Sequence, residues 1–288
     1  MSYQLRVIED NPISFWPLDD DATLGTAQEA TGLGRDGTYI GSVFDKAIPL
    51  VANGVYGTRL SSTGHSITFP LPGSVGTTVG HIWSKGRENQ NFSIELFFKI
   101  NNSDTTVDTP VVLFGDTVSS TPYGIYASGN KLYFRPDPVV NHYVSYQVPD
   151  WNRRFHVVAT FSKSEIKMII NGIEIVSKRY TDGEFRFTQF PWSMEAAGST
   201  YIYTIDGVAI YPYIMTPSLA VDHTLLSKKT IIKNKFYNAN AQVYYLPNND
   251  ECLFVNKFYN NWTDFNFNNV VLNSLGQPTL RYIENATI

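Results

Sequence analysis

The sequence predicts an all-β fold, an antiparallel sandwich, on three observations. Short runs that alternate apolar and polar residues recur from about Asn91 onward, as in "NFSIELFFKI" and "HYVSYQV". Turn residues interrupt them at about 8–12-residue intervals, the rhythm of a sandwich. Aromatic residues reach 14% while charged residues make up only 17%, a balance that suits pleated, half-buried strands better than solvated helices.

The first third is the least regular. "ISFWPLDDDATLG" is an apolar run with Trp16 that ends in Asp19, Asp20 and Asp21. Two readings stand for these carboxylates: they turn the end of a buried strand into solvent, or one or two of them hold a cation. Trp16 reads as core or core edge. "TGLGRDGTYIGS" is a Gly-rich loop running into a short strand, and "SITFPLPG" is an alternating strand closed by prolines, which suits an edge. "GSVGTTVGHIWSKGREN" reads as a long surface loop carrying Trp83.

The strands then come quickly. In "NFSIELFFKI", Phe92, Ile94, Leu96 and Phe98 fall on one face and Ser93 and Glu95 on the other, which reads Glu95 as a solvent-face residue. "PVVLFGD" stops at Gly115. "YGIYASGNKLYFRP" is a hairpin turning at Gly129 and Asn130. Trp151 and Trp192 sit in apparent loops, "PDWNRRF" and "FPWSME". "RFHVVATFS" is a strand whose His156 reads as a core-edge or surface residue. "EIKMIINGIEIVS" carries the strongest hairpin signal, an Asn171–Gly172 turn between two alternating runs. "YIYTIDGVAIYP" is the last strand of the series. The best helix is "TPSLAVDHTLLSKK", with Thr216 as cap, Pro217 at the first helical position and Leu219, Leu225 and Leu226 as its apolar side.

After about Leu226 the composition shifts. Lys228, Lys229, Lys233 and Lys235 read as a solvated connector. The Asn-rich, aromatic remainder is short for an independent core and too aromatic for a plain disordered tail. Phe258, Tyr259, Trp262, Phe265 and Phe267 are its candidate interface residues, because aromatic area beside Asn side chains gives contact together with hydrogen bonding.

Several chemistries find no support. The formal net charge is −4, so broad nucleic-acid affinity is not expected. The single Cys252 allows no internal disulfide. The opening residues lack the basic and apolar segments of a signal peptide, and no apolar run approaches ~20 residues, so synthesis in a cytoplasm without membrane insertion is expected. General acid–base hydrolysis of a glycoside needs two carboxyl groups at a set separation. Glu95 stands alone on its strand, and Glu165 and Glu174 are divided by a turn. His65, His81, His142, His156 and His223 are scattered, without metal spacing. No nucleophile elbow, phosphate loop or dinucleotide fingerprint occurs.

Taken in order, "ISFWPLDDDATLGTAQEATGLGRDGTYIG", "FSIELFFKI", "RFHVVATFSKSEIKMIINGIEIVS" and "IDGVAIYPYIMTPSLAVDHTL" resemble the laminin-G-like, concanavalin A-type lectin/glucanase domain. The resemblance covers residues 1–224 and implies a two-sheet antiparallel jelly-roll sandwich, with 225–288 as connector and C-terminal assembly segment. It also implies Ca²⁺ at a loop rim, with Asp19 and Asp36 as ligands, and a structural place for Trp151 before its strand. Trp83 and Trp192 then remain to stack on a sugar ring or to fill a subunit contact. The opening further resembles virion proteins of tailed bacteriophages. That likeness implies a non-enzymatic component of a tail, baseplate, fibre or capsid surface. Its partners would be other virion proteins, itself, and host surface glycans, with a trimer taken from fibre precedent rather than from any heptad. A stand-alone lectin-like module is the alternative reading, and a glycoside hydrolase a distant third.

Overall fold

The structure is a computed structural model that describes residues 2–20, 25–41, 45–47, 49–51, 57–60, 64–70, 91–101, 107–116, 122–136, 141–162, 164–179, 192–195, 202–228, 230–236, 239–245, 252–258, 261–267, 271–272 and 278–279.

A seven-residue helix, α1 (Tyr3–Glu9), opens the described chain. The Ser2 hydroxyl caps it by accepting from the Leu5 amide at 3.3 Å, and Tyr3 and Val7, one turn apart, form its buried stripe. Short strands follow: β1 (Ser14–Trp16), β2 (Thr26–Ala27), β3 (Gly37–Ile40), β4 (Asp45–Ala47), β5 (Gly57–Leu60) and β6 (Ser66–Phe69). Then come β7 (Phe92–Asn101), β8 (Val107–Asp116), β9 (Tyr123–Gly129), β10 (Lys131–Arg135), β11 (Val144–Gln147), β12 (Phe155–Phe161), β13 (Glu165–Ile170), β14 (Ile173–Arg179), β15 (Trp192–Glu195) and β16 (Ile202–Tyr211). Helix α2 (Pro217–Lys228) comes next, then β17 (Thr230–Phe236), β18 (Ala239–Tyr245), β19 (Cys252–Phe258), β20 (Asn261–Phe267) and the small pair β21 (Val271–Leu272) and β22 (Pro278–Thr279).

The strands form two eight-stranded antiparallel sheets. The first runs β14-β13-β12-β7-β16-β5-β4, with β1 also on β16; the second runs β11-β10-β9-β8-β15-β6-β3-β2. Between them lies one core, to which Leu96, Phe98, Val157 and Met168 come from the first sheet and Ile67, Phe114, Ile125 and Phe134 from the second. The expected all-β sandwich is therefore present. Phe92, Ile94, Leu96 and Phe98 do share the inward face of β7. Trp16, 4.6 Å from Phe69 across the sheets, and Trp151 are both core. Prolines after β6 do not put it at an edge: it lies between β15 and β3, because the hydrogen-bonded run ends at Phe69, before Pro70.

Two turns behave as their residues require. Asn171 and Gly172 both take positive φ, 53° and 83°, which lets β13 return as β14 without splaying. Between β9 and β10, Gly129 has φ 59° while Asn130 stays outside the left-handed region.

The outer face of the first sheet is covered as well. Tyr3 and Val7 of α1, Met215, and Ala220 of α2 pack on Phe97, Val158, Ile169, Ala209 and Tyr211 in a second apolar cluster. Thr216 caps α2 as expected, accepting from the Leu219 amide at 3.2 Å. Of the leucines expected on its apolar side, Leu219 and Leu226 pack, partly buried, against this cluster and Leu225 stays exposed. Ala220, His223, Thr224 and Ser227 are buried with them, so the docked face joins apolar area to hydrogen-bonding groups.

Beyond α2, β17 to β20 form a four-stranded antiparallel meander, ordered by sequence. Lys233 and Lys235, expected in a connector, lie in β17.

Candidate functional site

The second sheet has one face in the core and one face outward. On β9 and β10 the pleat sends Ile125, Ala127, Leu132 and Phe134 inward, so Tyr126, Tyr133 and their i ± 2 neighbours point out. The hairpin register sets Tyr126 directly opposite Tyr133. Their rings stack at 4.9 Å with an interplanar angle of 5°. Tyr143, two residues before Ser145 of β11, brings a third ring 5.6 Å from Tyr133, tilted by 58°. Exposure rises along this row: Tyr126 is 7% exposed, Tyr133 half-buried and Tyr143 36% exposed. Burial pushes the Tyr126 hydroxyl up to about 12 and raises that of Tyr133, so both rings carry neutral phenols at neutral pH.

Cationic groups frame the rings. Lys131 and Arg135 flank Tyr133 on the same side of β10. Arg135 hydrogen-bonds the Tyr126 side chain, and its guanidinium lies 5.6 Å from the centre of the Tyr123 ring. From β14 of the other sheet, the Lys178 ammonium sits 5.6 Å over the Tyr143 ring and donates to the Asn141 carbonyl. Aromatic faces carry negative charge and attract cations and the polarised C–H bonds of a sugar ring. The arrangement offers a ridge of rings, one face of Tyr133 covered by Tyr126, with donors at its border.

A second constellation has the residue types of catalysis but not the access. Glu95 is wholly buried on the helix-covered face of β7, which corrects the solvent-face reading. Its carboxylate accepts from His156 Nε2 at 2.7 Å, from the Tyr211 hydroxyl at 2.6 Å and from His223 Nδ1 at 2.9 Å. His223 Nε2 reaches Asp10 at 2.8 Å, and His156 Nδ1 meets the Thr224 hydroxyl at 2.7 Å. Two histidines that look scattered in the sequence thus converge on one carboxylate.

The protonation states follow from the partners. His223 lies between two carboxylates and donates from both nitrogens; burial opposes its charge, but Glu95 and Asp10 prevail and raise it to about 9. Burial lowers His156, which donates to Glu95 from Nε2, while its Nδ1 lies beside the Thr224 hydroxyl, whose own proton goes to the Ala220 carbonyl. Burial also opposes the charge on Glu95, yet the His223 imidazolium and the two histidine hydrogen bonds hold its carboxyl well below the usual range. This is a sealed ion pair that ties the sheet to α2 and α1. Glu95, His156 and His223 are buried in it, and Asp10 at its end is partly exposed.

The expected acidic residues lie near one another but each accepts from a different group. Asp19 accepts from the Gln4 amide at 3.0 Å, whereas Asp36 accepts from the Glu29 backbone amide at 2.8 Å and Asp20 from that of Gln28 at 2.8 Å. Glu29, unremarked in the sequence, organises this loop: it accepts from the amides of Phe15 and Leu33 and from the Thr31 hydroxyl. Among the described residues, no group of three or more His, Cys, Asp or Glu side chains is placed to hold a metal. Trp83 and Tyr259 lie outside the described residues. Trp192 opens strand β15 opposite Phe69 rather than lying in a loop, since the strand pairing begins at that residue. Phe258 lies on β19, and Trp262, Phe265 and Phe267 on β20, with Phe265 registered against Phe254.

The tyrosine row left a partial signal in the sequence. The "YGIYASGNKLYFRP" hairpin fixes Tyr126 against Tyr133 once its turn is placed at Gly129–Asn130. Tyr143 and Lys178 carry no such signal, because only the closure of the sandwich brings β11 beside β14.

No protein-family model matches the chain, and no curated protein matches it. Solved structures do. One is the binding domain of botulinum neurotoxin DC in complex with SialylT, with 12% identity and a TM-score of 0.58 over 89% of this chain and 74% of that one. The same domain in complex with rat synaptotagmin II gives 12% and 0.57 over the same shares. The botulinum neurotoxin serotype D ligand binding domain in complex with N-acetylneuraminic acid gives 10% and 0.55, over 91% of this chain and 74% of that one. The chain shares the fold of these domains. At such identity the likeness is one of architecture.

Proposed function

We propose that this protein is a non-enzymatic binding module that holds glycans on the outer face of its second sheet. The observation that carries the reading is the row Tyr126, Tyr133 and Tyr143, stacked and tilted on one another, increasingly exposed and bordered by Lys131, Arg135 and Lys178. The sealing of Glu95, His156 and His223 beneath the two helices supports a binding role over hydrolysis. The neurotoxin domains of the same fold, in complex with SialylT and with N-acetylneuraminic acid, are compatible with it. Binding of the whole chain to an oligosaccharide array tests it, beside a Tyr133→Ala, Tyr143→Ala variant. Retained binding in a folded variant, or no binding by the parent chain, defeats the proposal.

The biological setting that fits this module best is a phage virion, in a tail, baseplate, fibre or capsid surface, where a glycan-holding sandwich contacts the host. The likeness of the opening residues to such proteins supports this setting, and so does the C-terminal meander, whose backbone carries Phe258, Trp262, Phe265 and Phe267 as the assembly element. Self-association of the full chain in light scattering is expected. A chain that stays monomeric at high concentration removes that support.

A further inference from the structure

We infer that the tyrosine face selects acidic oligosaccharides, carboxylated or sulfated, over their neutral counterparts. The inference rests on the proposed glycan-binding role and adds the ligand's charge to it.

Strand β10 reads Lys131, Leu132, Tyr133, Phe134, Arg135, and the core takes Leu132 and Phe134. The outward face of this one strand therefore alternates cation, ring, cation, with successive outward positions about 6.6 Å apart. Lys131 is exposed beside the half-buried Tyr133. Lys178 brings a third positive charge to the outer ring, Tyr143. The remaining described positions on the outer faces of β9 to β11 are Gly124, Tyr126, Ser128, Ser145 and Gln147. Among the described side chains of that face there is no carboxylate. The chain as a whole has a formal net charge of −4, so this local excess of cations runs against its composition.

Spacing gives the chemistry its reason. A pyranose ring stacked on Tyr133 places its substituents within a few ångströms of the ring's border, where Lys131 and Arg135 stand. Neutral hydroxyls exchange one hydrogen bond for another there. A carboxylate or sulfate gains charge-assisted bonds, which are shorter and about twice as strong. Arg135 is largely buried and held by Tyr126, so it is oriented before any ligand arrives; Lys131, in solvent, can follow the acidic group.

The test uses the full chain and matched pairs: lactose against 3′-sialyllactose, and chitin against hyaluronan oligosaccharides, by titration at low and high NaCl. The acidic member of each pair is expected to bind about tenfold tighter at low salt, with the gap closing at high salt. Lys131→Gln with Lys178→Gln is expected to weaken binding of the acidic sugar and leave its neutral partner unchanged, the remaining preference resting on Arg135, whereas Tyr133→Ala removes both. Equal binding of acidic and neutral sugars through Tyr133 overturns the inference and leaves the glycan-binding role standing. So does an acidic preference that is undiminished by loss of both lysines. Failure of all these sugars to bind the folded chain overturns inference and role together.

Discussion

Glu95 shows how much one residue can carry. Fully buried, it receives hydrogen bonds from three side chains, and the His223 imidazolium is its counter-charge. Glu95→Gln leaves that imidazolium with a weakened partner set inside the protein. Breaking one side of a buried pair costs about 3–5 kcal/mol. Urea unfolding is expected to show a loss of that size; a loss below about 1 kcal/mol, the range of exposed pairs, would mean the network contributes little. Gly172 makes a smaller, steric case. Its φ is 83°, and a Cβ there would stand 2.9 Å from the Val221 backbone of α2. Gly172→Ala is expected to cost about 1–3 kcal/mol in the same assay.

At the scale of elements, the helices' hold on the first sheet depends on pH, and the sign can be worked out. His223 titrates at about 9 in the fold against its ordinary 6.5. Its contribution is complete below pH 6.5 and is lost as pH rises through about 9. Glu95 lies below its ordinary 4.5, so its contribution is complete above that pH and fades as pH falls. His156, lowered by burial, adds to the acid loss below 6.5, while Asp206, raised by burial, works in the opposite direction. Melting temperature is expected to peak near neutrality, and His223→Gln to flatten the decline between pH 6.5 and about 9. A profile unchanged by that substitution would separate the helices' docking from the imidazolium. Thr216→Ala, which removes the cap of α2, is expected to cost about 1 kcal/mol at every pH.

Legibility divides along the same lines. The inward face of β7 and both hairpin turns could be read because alternation and turn chemistry are local. The burial of Glu95 could not, since the groups that close over it, Asp10 and His223, are far away in the chain. A strand buried on both faces looks half-exposed when one of those faces is polar. Helix α1 is too short to show a period, and the inward face of α2 carries His223, Thr224 and Ser227 beside Leu219 and Leu226, so its leucines marked only part of that face.

For the whole molecule, the two sheets have divided their tasks. The first is closed on both faces, by the core and by the helices. The second keeps Tyr133 and Tyr143 of its outer row at the surface. Substitutions at Tyr133 and Tyr143 are therefore expected to change binding much more than stability. Tyr133→Ala should lower the unfolding free energy in urea by about 1 kcal/mol or less, the scale of a cross-strand aromatic pair. A collapse of the fold in that variant would make the row a structural support instead.

The polar docking of α2 also has a mechanical side. The helix runs straight into β17, so a pull on the C-terminal meander reaches the sandwich along α2. Its anchors line one side of the helix: Ser227 on Arg154, then, a turn earlier, Thr224 on His156 and the adjacent His223 on Glu95 and Asp10. Both ends of this row are charge-assisted, through the Arg154 guanidinium and the His223 imidazolium. A load arriving from the C-terminal side would enter the first sheet, whereas the tyrosine face belongs to the second.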